Sequence, residues 1–312
     1  MYIVSAGKAF NDVDAFACAV AYAELLKLEG KESVAVFIGP LNHTVSPLCL
    51  KQNAEYLLMY DPKPEDRLVY VDLSDPAHFA FPDLPESQIE EIYDHHYGWE
   101  EYWSSRLNER SHIERVGAAA TQIWEEFKKR GHQENISASS ANLLLIAILQ
   151  NTLNFTSSET NERDHLAFRE LMTHGSLEVG WQDVYLKELA RYTHEYFAET
   201  LKNDTKIVDG IVPEQKLIFS QLEIMEDPQK FFSQYQEQID AFWSSFVDAK
   251  TLINIADISS KKSLLYSKDS QWLHETVAVL FKEVFSSGPD WSLIPIHQRK
   301  QILKLFQEQL AK

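Results

Sequence analysis

Tyr93-Asp94-His95-His96-Tyr97-Gly98 decides how the rest of this 312-residue chain is read. Glu91-Ile92-Tyr93 has the pattern of a strand end, so the polar residues after it fall on a loop at a strand's carboxyl edge. In an open parallel sheet that edge is where ligands bind. A carboxylate and two imidazoles at one spot suit a hard or borderline divalent cation together with a proton-handling group. Taken alone, the same residues also fit a surface loop with two ordinary histidines. The choice turns on whether other strands end in acid.

They do. Leu68-Val69-Tyr70-Val71 is a buried-strand pattern closed by Asp72. Tyr2-Ile3-Val4 is another, followed by a loop and a helix starting near Asp12, with Val13, Phe16, Ala17, Val20 and Ala21 at helical spacing. Asn11 reads as the N-cap of that helix. Asp12 and Asp14 read as first-turn acids favoured by the helix dipole. Residues 33–38 read as a strand, and 39–57 as helical. Strands alternating with helices, with acid at strand ends, describe an α/β domain with a doubly wound, mainly parallel sheet. Asp12 with Asp14, Asp72, and Asp94-His95-His96, gathered at one edge, would hold more like charge than a buried site tolerates without cations. Carboxylate plus imidazole suits Mn²⁺, Mg²⁺ or Co²⁺. Gly117 opens a helix through Ala118-Ala119-Ala120-Thr121, whose small residues serve either close packing or the approach of an anion to the first amides.

The chain is longer than the roughly 250–300 residues at which single cores stop growing, so two domains are expected. A formal charge of −18 argues against nucleic-acid and anionic-membrane surfaces. It also means that an anionic substrate needs cations or a local lysine–arginine cluster. The longest apolar run, 141–149, is too short to cross a bilayer. No secretory signal pattern is visible, and Cys18 and Cys49 make no disulfide framework, so the expected compartment is the cytoplasm. Residues 178–201 read as a charged helical connector. Beyond 203 the pattern is α+β, with strands at 206–212, 216–221, 251–258 and 263–266, and helices at 228–247, 272–285 and 298–310. The expected division is 1–190, a linker at 191–202, and a smaller domain at 203–312.

Gly7-Lys8-Ala9-Phe10-Asn11-Asp12-Val13-Asp14, Val71-Asp72, Asp94-His95-His96, Val116-Gly117-Ala118-Ala119-Ala120-Thr121, and Asn151-Thr152 with Phe155 and Asp164 succeed one another in the first half. Asp204-Thr205-Lys206, Phe219-Ser220-Gln221-Leu222-Glu223 and Gln298-Arg299-Lys300-Gln301 lie in the second. In this order they resemble the DHH phosphoesterase superfamily, in the branch of family II inorganic pyrophosphatases, exopolyphosphatases and Prune-like proteins. The resemblance implies a DHH domain and a smaller phosphate-binding associated domain, with the active site in the cleft between them. By position it implies that Asp12 and Asp72 hold a first metal, and Asp14, Asp72 and His95 a second. His96 would sit beside the leaving phosphate. Lys206, Arg299 and Lys300 would bind the phosphates; without the resemblance these three are ordinary solvated charge. The implied activity is hydrolysis of pyrophosphate or short polyphosphate by attack of a water activated by Mn²⁺, or by Mg²⁺ or Co²⁺.

Two positions depart from the pyrophosphatase pattern: Lys8 stands where that family has histidine, and Asn151 where it has aspartate. An ammonium has no lone pair, and an amide oxygen is a weaker, neutral ligand. Together the changes shift the local charge by that of one divalent ion. The expectation is that Lys8 replaces the first metal. A single tightly bound ion then remains on Asp14, Asp72 and His95 with Asn151. The alternative is a catalytically weak relative that binds phosphorylated ligands or partner proteins. An oligonucleotide phosphodiesterase is a third reading, disfavoured by the acidic surface. Expected partners are pyrophosphate or polyphosphate, with no nucleic acid and no membrane; a homodimer stays open.

Overall fold

In the computed structural model, which describes residues 1–8 and 11–310, the first sheet comprises β1 (Tyr2–Ser5), β2 (Ser33–Val36), β3 (Tyr56–Leu57), β4 (Arg67–Val71), β5 (Ile89–Asp94) and β6 (Ser111–Ile113). Ala9 and Phe10 of the first motif lie outside the described residues. The strand order is β3-β2-β1-β4-β5-β6, parallel at every joint. It runs outward in both directions from the β1–β4 pair, which makes the carboxyl ends of these strands a topological switch point. Ile3, Val4, Val36, Val69, Tyr70, Val71 and Ile92 are fully buried, as a sheet covered on both faces requires.

Among the described residues, the helices of this unit include α1 (Val13–Leu28), α2 (Pro47–Leu50), α3 (Glu100–Leu107), α4 (Ala119–Lys129), α5 (Ala138–Asn151) and α6 (Glu162–Leu171). α1 is buried almost all round, because Ala15, Ala17, Ala19, Ala21 and Ala23 let it lie close to β1 and β2 as well as to α4 and α5. Its N-cap is Asp12 rather than the expected Asn11. Asp12 Oδ1 accepts the amides of Asp14 (3.0 Å) and Ala15 (3.1 Å). Asn11 is instead bridged to Leu41 and accepts the amide of Asn42. The helix expected over 39–57 shrinks to α2. The Phe37 amide bonds the Leu57 carbonyl, adding β3 to the sheet edge, and Pro40 and Pro47 lack the N–H that a continuous helix needs.

The chain divides into two units. One comprises Met1–Phe155 and Glu159–Tyr185; the other comprises Thr156–Ser158 and the chain from Leu186 onward. The division falls inside α7 (Trp181–Glu195), a little before the expected 190. Residues 191–202 are the end of α7 and most of α8 (Phe197–Asn203). The second sheet is built from β7 (Thr205–Val212), β8 (Gln215–Ile224), β9 (Ala249–Asp257), β10 (Lys262–Tyr266), β11 (Ser286–Ser287) and β12 (Trp291–Pro295), in the order β11-β12-β10-β9-β8-β7. Only β8 and β9 run parallel. α9 (Pro228–Trp243) packs Phe231, Tyr235 and Ile239 on Ile253 and Ile255. Leu273 and Val277 of α10 (Ser270–Leu280) and Ile302 of α11 (Arg299–Leu310) pack with Phe219, Leu252 and Leu265. Among the described residues no helix is long and apolar enough to cross a membrane.

Asp164 ties the starts of two helices in the first unit. Its Oδ2 accepts the amides of Gly117 and Asn161, both at 2.9 Å, and its Oδ1 accepts the Thr121 hydroxyl at 2.6 Å. Asp164→Ala leaves these donors unpaired and is expected to lower the unfolding free energy by about 3 kcal/mol, measured by urea denaturation. A loss below about 1 kcal/mol contradicts the anchoring role.

Candidate metal centre

Asp14 lies in the first turn of α1 with no exposed surface. Its Oδ2 accepts the Ala119 amide at 2.8 Å and its Oδ1 the Ala120 amide at 2.9 Å. Asn151 Nδ2 also donates to Oδ2, and Cys18 Sγ reaches Oδ1 at 3.5 Å. α4 begins at Ala119 with an N-cap, Ala118, that has no side chain able to cap it. Its first amides, expected to be open to an anion or simply packed, are capped from another helix by Asp14. Burial, and then the neighbouring Asp12 carboxylate, push Asp14 up to about 6 despite these donors.

Asp72 comes directly after the last residue of β4 in a left-handed conformation, φ +55°, a region that aspartate tolerates better than most residues. Its amide still bonds Tyr93 O at 2.7 Å. The turn ends the strand and swings the carboxylate toward the β5 loop. Asp94, at the end of β5, is fully buried. Its Oδ1 accepts the amides of His95 (2.7 Å) and His96 (3.1 Å) and His96 Nδ1 (2.7 Å). Among the described residues Oδ2 has no hydrogen-bond partner.

His95 Nδ1 lies 3.0 Å from Val116 O. A carbonyl only accepts, so Nδ1 carries the proton and Nε2 keeps its lone pair. That lone pair faces Asp72 Oδ1 at 3.4 Å and Asp14 Oδ2 at 4.0 Å. His96 gives its Nδ1 proton to Asp94, and its side chain is 47% exposed. Asp72, His95 and His96 have ligand atoms within 4.8 Å of one another. Atoms held about 2.1 Å from a common ion stand at most about 4.2 Å apart. The His95–Asp72 and His95–Asp14 distances each suit a pair of ligands on one cation, while the group whose ligand atoms close on one another is Asp72, His95 and His96 and leaves Asp14 out. Oxygen plus imidazole is the donor set of Mn²⁺, Mg²⁺ or Co²⁺ rather than of a thiolate-bound metal.

The other expected ligands are less directly placed. Asp12 uses Oδ1 as the α1 cap. Asn151 turns its amide nitrogen to Asp14, a donor contact and not a ligating one. Lys8 is exposed and, among the described residues, forms no ion pair with Asp12, Asp14 or Asp72. In the second unit, Lys206 is exposed on β7 opposite Phe219. Arg299 opens α11 and its Nη1 donates to the carbonyls of Asp204 and Phe219, while its amide donates to Gln221 Oε1. Burial lowers the Arg299 pKa, against the pull of Asp204 and Glu223. Lys300 is half-buried beside it in sequence. Missed in the sequence is Asn254, fully buried on β9, which donates to His297 O at 2.6 Å and Gln221 Oε1 at 3.3 Å. An asparagine inside the apolar run Leu252-Ile253-Asn254-Ile255 is the signal that could have shown it.

Residues 2–148 match the protein family described as "DHH family, N-terminal domain". A "Probable manganese-dependent inorganic pyrophosphatase" of Bacillus licheniformis is 32% identical over 162 residues, covering 51% of this chain and 51% of that protein. An A-adding tRNA nucleotidyltransferase of Aquifex aeolicus is 34% identical over 148 residues, covering 46% of this chain and 16% of that protein. The chain spans about half the length of the first relative and less of the second. Among solved structures, a Methanococcus jannaschii protein assigned by its description to the family II inorganic pyrophosphatases shares the fold, with a TM-score of 0.72, 20% identity and 100% of each chain covered. The matched segment, residues 2–148, is the one that carries Asp14, Asp72, His95 and His96.

Proposed function

We propose that the protein is a divalent-cation-dependent hydrolase of phosphoanhydride bonds, acting on pyrophosphate or short polyphosphate. The observation that carries this reading is the lone pair of His95 Nε2, turned toward both Asp72 and Asp14. Manganese appears in the name of the Bacillus relative, so Mn²⁺ is the first cation to test, with Mg²⁺ and Co²⁺ beside it. An ion held there supplies Lewis acidity to a phosphoryl oxygen and lowers the pKa of water. Asp94 fixes the tautomer of His96 and leaves Nε2 as the atom at which His96 gives or takes a proton. Lys206, Arg299 and Lys300 bind phosphate charge in this reading. Arg299 also holds backbone carbonyls, so its replacement disturbs local structure as well as any phosphate contact. The buried free thiols of Cys18 and Cys49 fit a reducing, cytoplasmic setting.

A second reading, a weak catalyst that binds phosphorylated ligands or partner proteins, draws on Asn151. Its amide occupies the Asp14 oxygen nearest His95, which favours one ion over two.

Calorimetry with Mn²⁺ is expected to find one ion per chain, bound at least about tenfold more weakly by Asp72→Ala or His95→Ala. Asp14 binds a cation as carboxylate, and its proton affinity is raised. Cation affinity is therefore expected to fall as the pH drops through about 6. Equal affinity at about pH 7.5 and about pH 5 removes Asp14 from the ligand set.

Phosphate release should be monitored from pyrophosphate, tripolyphosphate and long polyphosphate with each cation. His96→Ala is expected to lower turnover by about 10²–10⁴ with an unchanged thermal midpoint. No release in any combination, with phosphate-ligand binding retained, favours the second reading.

A further inference from the structure

At the amino ends of β4 and β5, opposite the ends that carry Asp72 and Asp94, the first unit has a groove of about 480 Å³ walled by Arg67, Arg106 and Arg110. Five steps of extended chain separate Arg67 from Asp72, roughly 16 Å, so this is a place apart from the candidate metal centre. A second hollow of about 440 Å³, lined by Pro62, Pro64, Leu84 and Pro85, shares Arg67 and Ser87 with it. The two form one amphipathic groove, cationic at one end and apolar at the other.

The cationic end keeps donors in reserve. Glu86 pairs with Arg106 Nε at 3.1 Å, and Glu90 pairs with Arg110 Nη1 at 3.1 Å. Nη2 of each stands outside those bonds. Arg67 is exposed, and among the described residues its guanidinium forms no ion pair or hydrogen bond. Three arginines against two glutamates leave a local positive charge on a chain of −18. The backbone is also specialised there. β4 and β5 slip register between Leu68–Ile89 and Val69–Glu91, which leaves Glu90 as a bulge. Arg110 Nη1 caps the Glu90 carbonyl at 3.1 Å. Bulges of this kind recur beside sites, where they re-aim a side chain. A volume of this size is that of a small-ligand pocket.

We propose that the groove binds a small organic phosphate, with its dianion on the three arginines and a compact apolar or aromatic body on Pro62, Pro64, Leu84 and Pro85. Guanidinium groups match phosphate oxygens through paired N–H donors. Away from Arg67, the hollow offers the apolar surface of Pro62, Pro64, Leu84 and Pro85. The site is independent of the hydrolase reading, because it needs no metal ion.

Phenylphosphonate carries both features and no phosphoanhydride bond, and it is the probe. Calorimetric titration into the full, metal-free chain is expected to give one site. Arg67→Ala, an exposed change outside the candidate metal centre, should weaken it about tenfold or more, and Arg67→Glu further. Inorganic phosphate alone is expected to bind about tenfold more weakly than phenylphosphonate. Three results overturn the proposal: no binding to the wild-type chain, equal binding to Arg67→Ala, or phosphate binding as tightly as phenylphosphonate. Circular dichroism of both variants confirms that a lost signal is not lost fold.

Discussion

A single buried carboxylate holds the first unit's working edge together. Asp14 sits on α1, receives the opening amides of α4, and is touched by the last residue of α5. Each charge-assisted amide bond contributes about 1.5–3 kcal/mol, enough to keep a desolvated anion in place but not to make it comfortable, as its upward shift to about 6 records. Three helices converge on one charge that still favours a cation. A ligand set anchored this way is pre-organised, because the side chain that would touch an ion is already immobilised by backbone donors.

The loop after β5 divides its work among neighbours. Asp94 commits one oxygen to three N–H groups and so shapes the turn rather than reaching outward. That frees Asp72 and His95 to face each other. The Val116 carbonyl then decides which nitrogen of His95 is basic. Adjacent histidines thus differ in kind: His95 is buried with its lone pair toward acids, and His96 is half in solvent with its proton pinned inward. The family name attached to this segment does not choose the chemistry by itself. Proteins similar to this half of the chain carry names as different as a pyrophosphatase and a nucleotidyltransferase, and activity is decided by the site.

Strand-then-acid at Val71-Asp72 and Tyr93-Asp94 was legible because buried parallel strands are short apolar runs, and the residues just after such a run must lie at the sheet edge. The α+β character after 203 was legible for the same reason. What escaped were interactions between residues distant in sequence. The capping of α4 by Asp14 joins positions about a hundred residues apart, and no local pattern encodes it. Asn11 looked like a cap because caps are recognised by residue type, yet its bridge to Leu41 shifts the role to Asp12. β3 escaped because an edge strand of two residues has no periodicity. Lys8 and Asn151 could be seen to depart from the family, but the direction in which an amide or an ammonium points is a tertiary fact.

Trp103 is fully buried in α3, forms part of the arginine groove's wall, and donates its indole N–H to the Ser74 carbonyl at 2.6 Å, two residues beyond Asp72. One ring is therefore the shared partition between an outer surface and the chain that shapes an inner one. Replacing this ring reaches both the groove wall and the chain just beyond Asp72.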